Sequence, residues 1–226
     1  MFDAFLRLIF PSTCQACRQP LQLGETLICT HCLYELPKTN SHLGEYPSLE
    51  LKLAGRLPLK HTLAYLKFNK GGKVQKLIHG LKYRGNQAIG EKLGKMYGYA
   101  LTEKGLDQEF DLLIPVPLHP KRMIQRGYNQ CDSFTKGLAE SMQVGWSPAV
   151  LKRGKFAESQ TKKSRIQRFI HMEDIFYVDN YVDIVDKRVA IIDDVITTGA
   201  TLEACGIALL EKGVKELSVI TIATAL

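Results

Sequence analysis

The chain has 226 residues, enough for one substantial α/β domain with a small appendage, and its 45% apolar and 23% charged residues are ordinary for a soluble globular protein. No apolar run approaches the roughly 18–20 residues that span a bilayer. The opening MFDAFLRLIFPSTC has neither a basic n-region nor a small-residue cleavage site, so a secretory signal is excluded and the cytoplasm is the expected compartment. The formal charge of +7 is uneven: residues 1–50 carry three Lys/Arg against five Asp/Glu, which is −2 and leaves +9 elsewhere, and residues 152–168 hold seven Lys/Arg against one Glu. That basic run calls for an anionic ligand, a nucleic acid or a solvated loop.

In chain order, Phe2, Phe5, Leu6 and Ile9 are spaced to line one face of a short helix before Pro11, expected to dock on the body of the protein. Cys14-x-x-Cys17 and Cys29-x-x-Cys32 follow, separated by 11 residues. Two such pairs can set four thiolates tetrahedrally about one Zn²⁺, on the order of 10–16 kcal/mol of apparent binding, enough to fold a segment too small to own a core. Two disulfides are the competing reading, disfavoured without an export signal. Four cysteines leave no open coordination position for catalysis, so the expected role is structural or interactive. Prolines and small polar residues over 36–60 read as the passage into the main domain. The expected division is residues 1–45 as helix and zinc ribbon, 46–60 as linker, and 61–226 as the main domain.

Within that domain the patterning predicts a strand at 62–68 and a helix over 71–83 with Val74, Leu77, Ile78 and Leu81 on one face. A second helix is predicted at 86–102, a strand at 109–114 and a helix at about 128–142. Strands near 174–178 and 188–192, a helix over about 200–212 and a buried strand at 217–224 complete the reading. Alternating strands and helices predict a doubly wound α/β fold with a mainly parallel sheet covered on both faces. Ligands of such sheets bind at the carboxyl ends of the strands.

Residues 189–202, VAIIDDVITTGATL, carry the strongest chemical signal. A β-branched run ends in Asp193 and Asp194, then Thr197, Thr198, Gly199, Ala200 and Thr201 open into an apolar helical period. Backbone N–H groups without intrahelical partners and the positive end of the helix dipole suit a phosphate there. The acids suit ribose hydroxyls or a magnesium ion, which makes a phosphorylated sugar the natural ligand. The plain alternative is an ordinary strand–turn–helix with a capped terminus. The strand ending at Ile114 runs into Pro115, Val116 and Pro117, a rigid and unusual backbone with X-Pro bonds, where cis peptides occur, and Lys121, Arg122 and Arg126 make the next stretch basic. Here the plain alternative is a proline-stiffened turn followed by a solvated basic helix.

The DDVITTGAT run resembles the phosphoribosyl-pyrophosphate loop of type I phosphoribosyltransferases. That resemblance implies Asp193 and Asp194 on the ribose, Thr197 to Thr201 on the 5′-phosphate, and a pyrophosphate loop at 115–126. The ordered set of CxxC…CxxC, LKYRG at 81–85, PVPLHPKRMIQRGYNQ at 115–130, Gln160 in SQTKKSRIQRF and the DDVITTGAT run resembles the ComF family over nearly the whole chain. The resemblance implies a zinc ribbon fused to a phosphoribosyltransferase fold that binds phosphoribosyl pyrophosphate with Mg²⁺ and acts in natural transformation. The chain departs from the family pattern at 161–172, TKKSRIQRFIHM.

A transferase of this kind displaces pyrophosphate at ribose C1 through an oxocarbenium-like transition state, helped by orientation and charge stabilisation. Residues 152–168, with Gln160, Lys162, Lys163, Arg165 and Arg168, are the candidate lid that excludes water, or a contact for nucleic acid. The competing class is a non-catalytic module. In it the phosphoribosyl site acts as a sensor, and the protein binds single-stranded DNA or recruits other DNA-uptake proteins.

Overall fold

The computed structural model describes residues 12–154, 176–179 and 182–225. The predicted helix before Pro11 and the residues Gln160, Lys162, Lys163, Arg165 and Arg168 lie outside them.

The central sheet has four parallel strands, β1 (Leu59–Phe68), β2 (Leu112–Pro115), β5 (Arg188–Ile196) and β6 (Glu216–Ala225), in the order β1-β6-β5-β2. A separate antiparallel pair joins β3 (Leu151–Arg153) to β4 (Phe176–Val178). The helices are α1 (Thr30–Tyr34), α2 (Ser48–Leu51), α3 (Lys73–Tyr83), α4 (Gln87–Thr102), α5 (Pro120–Arg126), α6 (Gln130–Met142) and α7 (Ala200–Leu210). Successive strand residues face opposite sides, so Ala190 and Ile192 enter one core while Val189 and Ile191 enter the other. The first core holds Leu77 and Leu81 of α3, Leu93 and Tyr97 of α4 and Phe134 and Leu138 of α6; the second holds Leu202, Cys205 and Leu209 of α7. Both faces are covered, and this is why the strands read as apolar runs rather than alternating ones.

Several boundaries move for identifiable reasons. β1 starts at Leu59 rather than 62, pairing Leu59 with Leu217 across a register irregularity. The stretch predicted as a strand from 109 begins with a 3₁₀ turn at Leu106–Glu109 before β2, and Arg188 then ties Asp111, with Nη2 2.6 Å from Oδ1. β5 runs on to Ile196 because Asp193, Val195 and Ile196 still pair with Thr221, Ala223 and Thr224 of β6. The acids therefore belong to the last turns of a paired strand rather than following its end. Residues 120–126, read as part of a loop, form α5: Pro120 occupies the first turn, His119 Nδ1 accepts from Lys121 N at 3.2 Å, and Gly127 at φ 76° ends the helix.

α4 and α6 cross closely enough that glycine is required. A Cβ on Gly94 would press on the Phe134 carbonyl and lie 2.9 Å from Leu138 N, and Gly90, Gly98 and Gly137 are similarly hemmed in. The contact seats α6, and with it the residues that face the acids.

Residues 46–60, expected as a linker, carry α2 and bury Leu49, Leu53 and Leu57 in the second core. Cys14, Ala16, Ile28, Cys32 and Leu36 pack into the first core beside α3 and α4. Thr39 N donates to Tyr65 O at 3.0 Å and Lys67 N to Pro37 O at 2.7 Å, so the chain leaving α1 runs antiparallel along β1.

Candidate functional site

β5 delivers the two acids, and the loop after it turns into α7. Thr197, Thr198 and Ala200 are exposed, Thr201 is half-buried, and Gly199 is buried at φ 78°. Gly199 sits at the N-cap of α7, so no side chain covers the first-turn N–H groups from that position. A side chain at 199 would meet Leu53 Cδ2 at 2.5 Å, so the loop rests on the segment between α2 and β1. From that segment Arg56 Nη1 donates to Thr198 O at 2.7 Å and lies 3.5 Å from Glu203 Oε2. The loop is therefore held from below by residues that the sequence reading assigned to a linker.

The two acids have different surroundings. Asp194 is 7% exposed. Its Oδ2 takes Lys82 Nζ of α3 at 2.8 Å and Gln130 Nε2 of α6 at 2.8 Å. Asp193 Oδ1 accepts from Asp194 N at 2.7 Å and faces the Cys131 thiol at 3.5 Å. Burial, and then the neighbouring Asp194 charge, push the Asp193 carboxyl up to about 7. Burial also raises the Cys131 thiol well above its ordinary value, so it stays protonated and donates to Asp193. Two carboxylates with partly filled acceptor capacity can receive hydroxyl hydrogens, and the loop N–H groups beside them can receive an anion.

On the neighbouring strand, Pro115 and Val116 are buried and Pro117 is half-buried. Among the described residues no peptide bond is cis, those before Pro115 and Pro117 included. The strand simply continues: Pro115 pairs with Ile192, and Val116 N donates to Ile192 O at 2.9 Å. Lys121 and Arg122 are exposed on α5, while Arg126 is half-buried, stacked 4.9 Å from the Tyr83 ring and donating to Gln130 Oε1 at 2.8 Å.

Sequence reasoning assigned no role to Lys82, Gln130, Cys131 or Arg56. Lys82 and Gln130 do lie in the LKYRG and RGYNQ runs, and Lys82 directly follows Leu81 at the edge of the apolar face of α3. Asn129 caps α6 through Cys131 N at 3.2 Å and also donates to Val116 O at 3.0 Å, joining α6 to the pyrophosphate-loop candidate. The Tyr128 hydroxyl donates to Leu81 O.

At the other end of the chain, Cys14, Cys17, Cys29 and Cys32 bring their sulfurs within 4.8 Å of one another and none is in a disulfide. Cys29 N donates to Cys14 Sγ at 3.3 Å and Cys32 N to Cys29 Sγ at 3.4 Å, the backbone-to-sulfur bonds that support thiolates. Burial opposes ionisation of Cys14, but N–H donors of Cys17, Cys29 and Ala16 bring it down to about 6. This donor set could hold a metal such as zinc. Among the described residues no helix is long and apolar enough to cross a membrane.

The parallel sheet, the helices on both faces and the acid-then-threonine loop at the carboxyl end of β5 define a doubly wound α/β protein with its candidate site at the strand ends. Among solved structures, the chain is similar to a purine phosphoribosyltransferase from Pyrococcus horikoshii, with 21% identity, 58% of this chain and 73% of that one covered, and a TM-score of 0.38. No protein-family model matches the chain. It is 27% identical over 216 residues to Competence protein F of Haemophilus influenzae, covering 94% of this chain and 90% of that one. It is also 27% identical to the DNA utilization protein YhgH of Shigella flexneri, covering 94% and 96%. Competence protein ComFC of Bacillus subtilis is 26% identical, over 88% of this chain and 78% of that one. Over most of its length, then, the chain is similar to competence and DNA-utilization proteins, in line with its motif resemblance to the ComF family.

Proposed function

We propose that this protein binds phosphoribosyl pyrophosphate at the carboxyl end of its sheet, acts as a phosphoribosyltransferase-like protein in the cytoplasm, and serves DNA uptake or use. The observation that carries the reading is the placement of an acid pair, Asp194 buried and Asp193 half-buried, at the end of β5 shortly before an exposed threonine loop and an 11-residue helix N-terminus. Asp193 and Asp194 take the ribose 2′ and 3′ hydroxyls, and Thr197, Thr198, Gly199, Ala200 and Thr201 take the 5′-phosphate. Val116 and Pro117 with Lys121, Arg122 and Arg126 border the pyrophosphate end, where guanidinium groups neutralise the charge that departs. Mg²⁺, when bound with the substrate, supplies further charge neutralisation of the pyrophosphate. The acids orient the sugar and neither is a general base. The role in DNA uptake or use rests on the names of the relatives. The four cysteines hold a structural Zn²⁺ that ties the N-terminal segment to α3 and α4.

Calorimetry with phosphoribosyl pyrophosphate and Mg²⁺ tests the site. The Asp193→Asn, Asp194→Asn double variant, checked for retained zinc and circular dichroism, is expected to lose binding; unchanged affinity would sink the reading. Pyrophosphate release across a panel of nucleobases then separates a transferase from a sensor.

A further inference from the structure

The structure joins the two halves of the proposed site through one side chain. Gln130 is 5% exposed and spans from Arg126 to Asp194. A guanidinium can only donate and a carboxylate can only accept, so the amide has one allowed orientation: Oε1 toward Arg126 at 2.8 Å and Nε2 toward Asp194 at 2.8 Å. The same Asp194 oxygen takes Lys82 Nζ at 2.8 Å, which pins the carboxylate from α3 while Gln130 pins it from α6. Arg126 in turn rests on Tyr83, and its Nε is buried with no hydrogen-bond partner among the described residues. Only one Nη of Arg126 is bonded to the amide, and a guanidinium carries further Nη–H donors that an anion can take.

We infer that Gln130 is a positioning residue that couples the pyrophosphate-facing Arg126 to the ribose-facing Asp194, with Lys82 holding the far side of the same carboxylate. This rests on the phosphoribosyl pyrophosphate reading and adds the way its two ends communicate. Anion capture at Arg126 draws on the amide oxygen and thereby sets the donor that aims Asp194. Occupancy at one end favours the correct geometry at the other, so separate fragments bind less well than the intact ligand. The LKYRG and RGYNQ runs then have a shared purpose: each supplies one cation and one neighbouring group to a single chain, Lys82–Asp194–Gln130–Arg126–Tyr83.

The test is a double-mutant cycle on phosphoribosyl pyrophosphate affinity, with Lys82→Met and Arg126→Met, run in the parent and again in Gln130→Met. The two cations do not bond each other, so the expected coupling in the parent, a factor of about 5 or more, must pass through Asp194 and Gln130. In the Gln130→Met background the two effects should simply multiply. If Gln130→Met does not fold, Gln130→Asn replaces it; that side chain keeps the amide but is too short to reach both partners, so the coupling should vanish there too. Coupling that persists in either background routes through Tyr83 and overturns the inference, as does a parent with no coupling. Failure of the parent to bind phosphoribosyl pyrophosphate removes the functional reading and this inference together, whereas binding without coupling removes only the inference.

Discussion

Replacing Asp193 by Asn should stabilise the protein, and by an amount that depends on pH. Asp193 is held at about 7 by burial and by the Asp194 charge, against roughly 4 in an unfolded chain. Its folded-state pKa thus lies above the unfolded one, so its contribution is fully present below about pH 4 and is lost as pH rises through about 7. Each unit in that window is worth about 1.4 kcal/mol if the whole charge is concerned. Asp193 is only half-buried and shares its surroundings with a second acid, so roughly 1–3 kcal/mol between pH 5.5 and 8 is the expected size. Asp132, raised by burial to about 6, tilts the parent curve the same way, but it is common to both proteins and cancels in their difference. Urea unfolding of zinc-loaded parent and variant, without magnesium, supplies the assay. The gain from Asp193→Asn should grow as pH rises from 5.5 and level off above 7. A variant-to-parent difference that does not move with pH would refute the reasoning. The same variant should bind phosphoribosyl pyrophosphate more weakly, which would make Asp193 a group kept at a cost in stability.

Gly94→Ala should destabilise: the added methyl presses on the backbone of α6, an overpacking cost of about 1–3 kcal/mol that exceeds the gain of about 1 kcal/mol in helix propensity. A melting temperature equal to or above the parent's would contradict the close crossing. Gly199→Ala must adopt φ 78° against Leu53, so ribose-phosphate affinity is expected to fall at least tenfold while the circular dichroism keeps its α/β form; parental affinity would show the loop tolerates a side chain. Cys32→Ser should drop zinc stoichiometry below one per chain and expose the segment from Ser12 to Leu36 to protease; full zinc retention would argue against a four-thiolate site.

The helices and the parallel strands were legible because their signals are local. The apolar stripe of α3 repeats with the helical period, and the continuous β-branched runs of β5 and β6 mark strands buried on both faces. Strand ends were less legible, since pairing with β6 and not composition decides that β5 extends to Ile196. Residues 46–60 misled for a related reason: prolines and glycines mark turns, yet Leu49, Leu53 and Leu57 between them find a core. Gly90, Gly94 and Gly98 recur at every fourth residue of α4, but only the approach of α6 shows why a side chain there does not fit.

By itself, the sequence determined the units of this protein: four cysteines spaced for one metal, alternating strands and helices, and two acids ahead of a threonine loop. Their meaning lies in residue types and short spacings, which chemistry reads directly. Tertiary structure alone decided the order β1-β6-β5-β2, the floor of Leu53 and Arg56 beneath the threonine loop, and the meeting of Lys82 and Gln130 on Asp194. Gln130 and Asp194 are 64 residues apart, and a contact of that range leaves no periodicity behind it. It exists because the parallel sheet and a glycine-lined helix crossing bring α3 and α6 over the same end of β5.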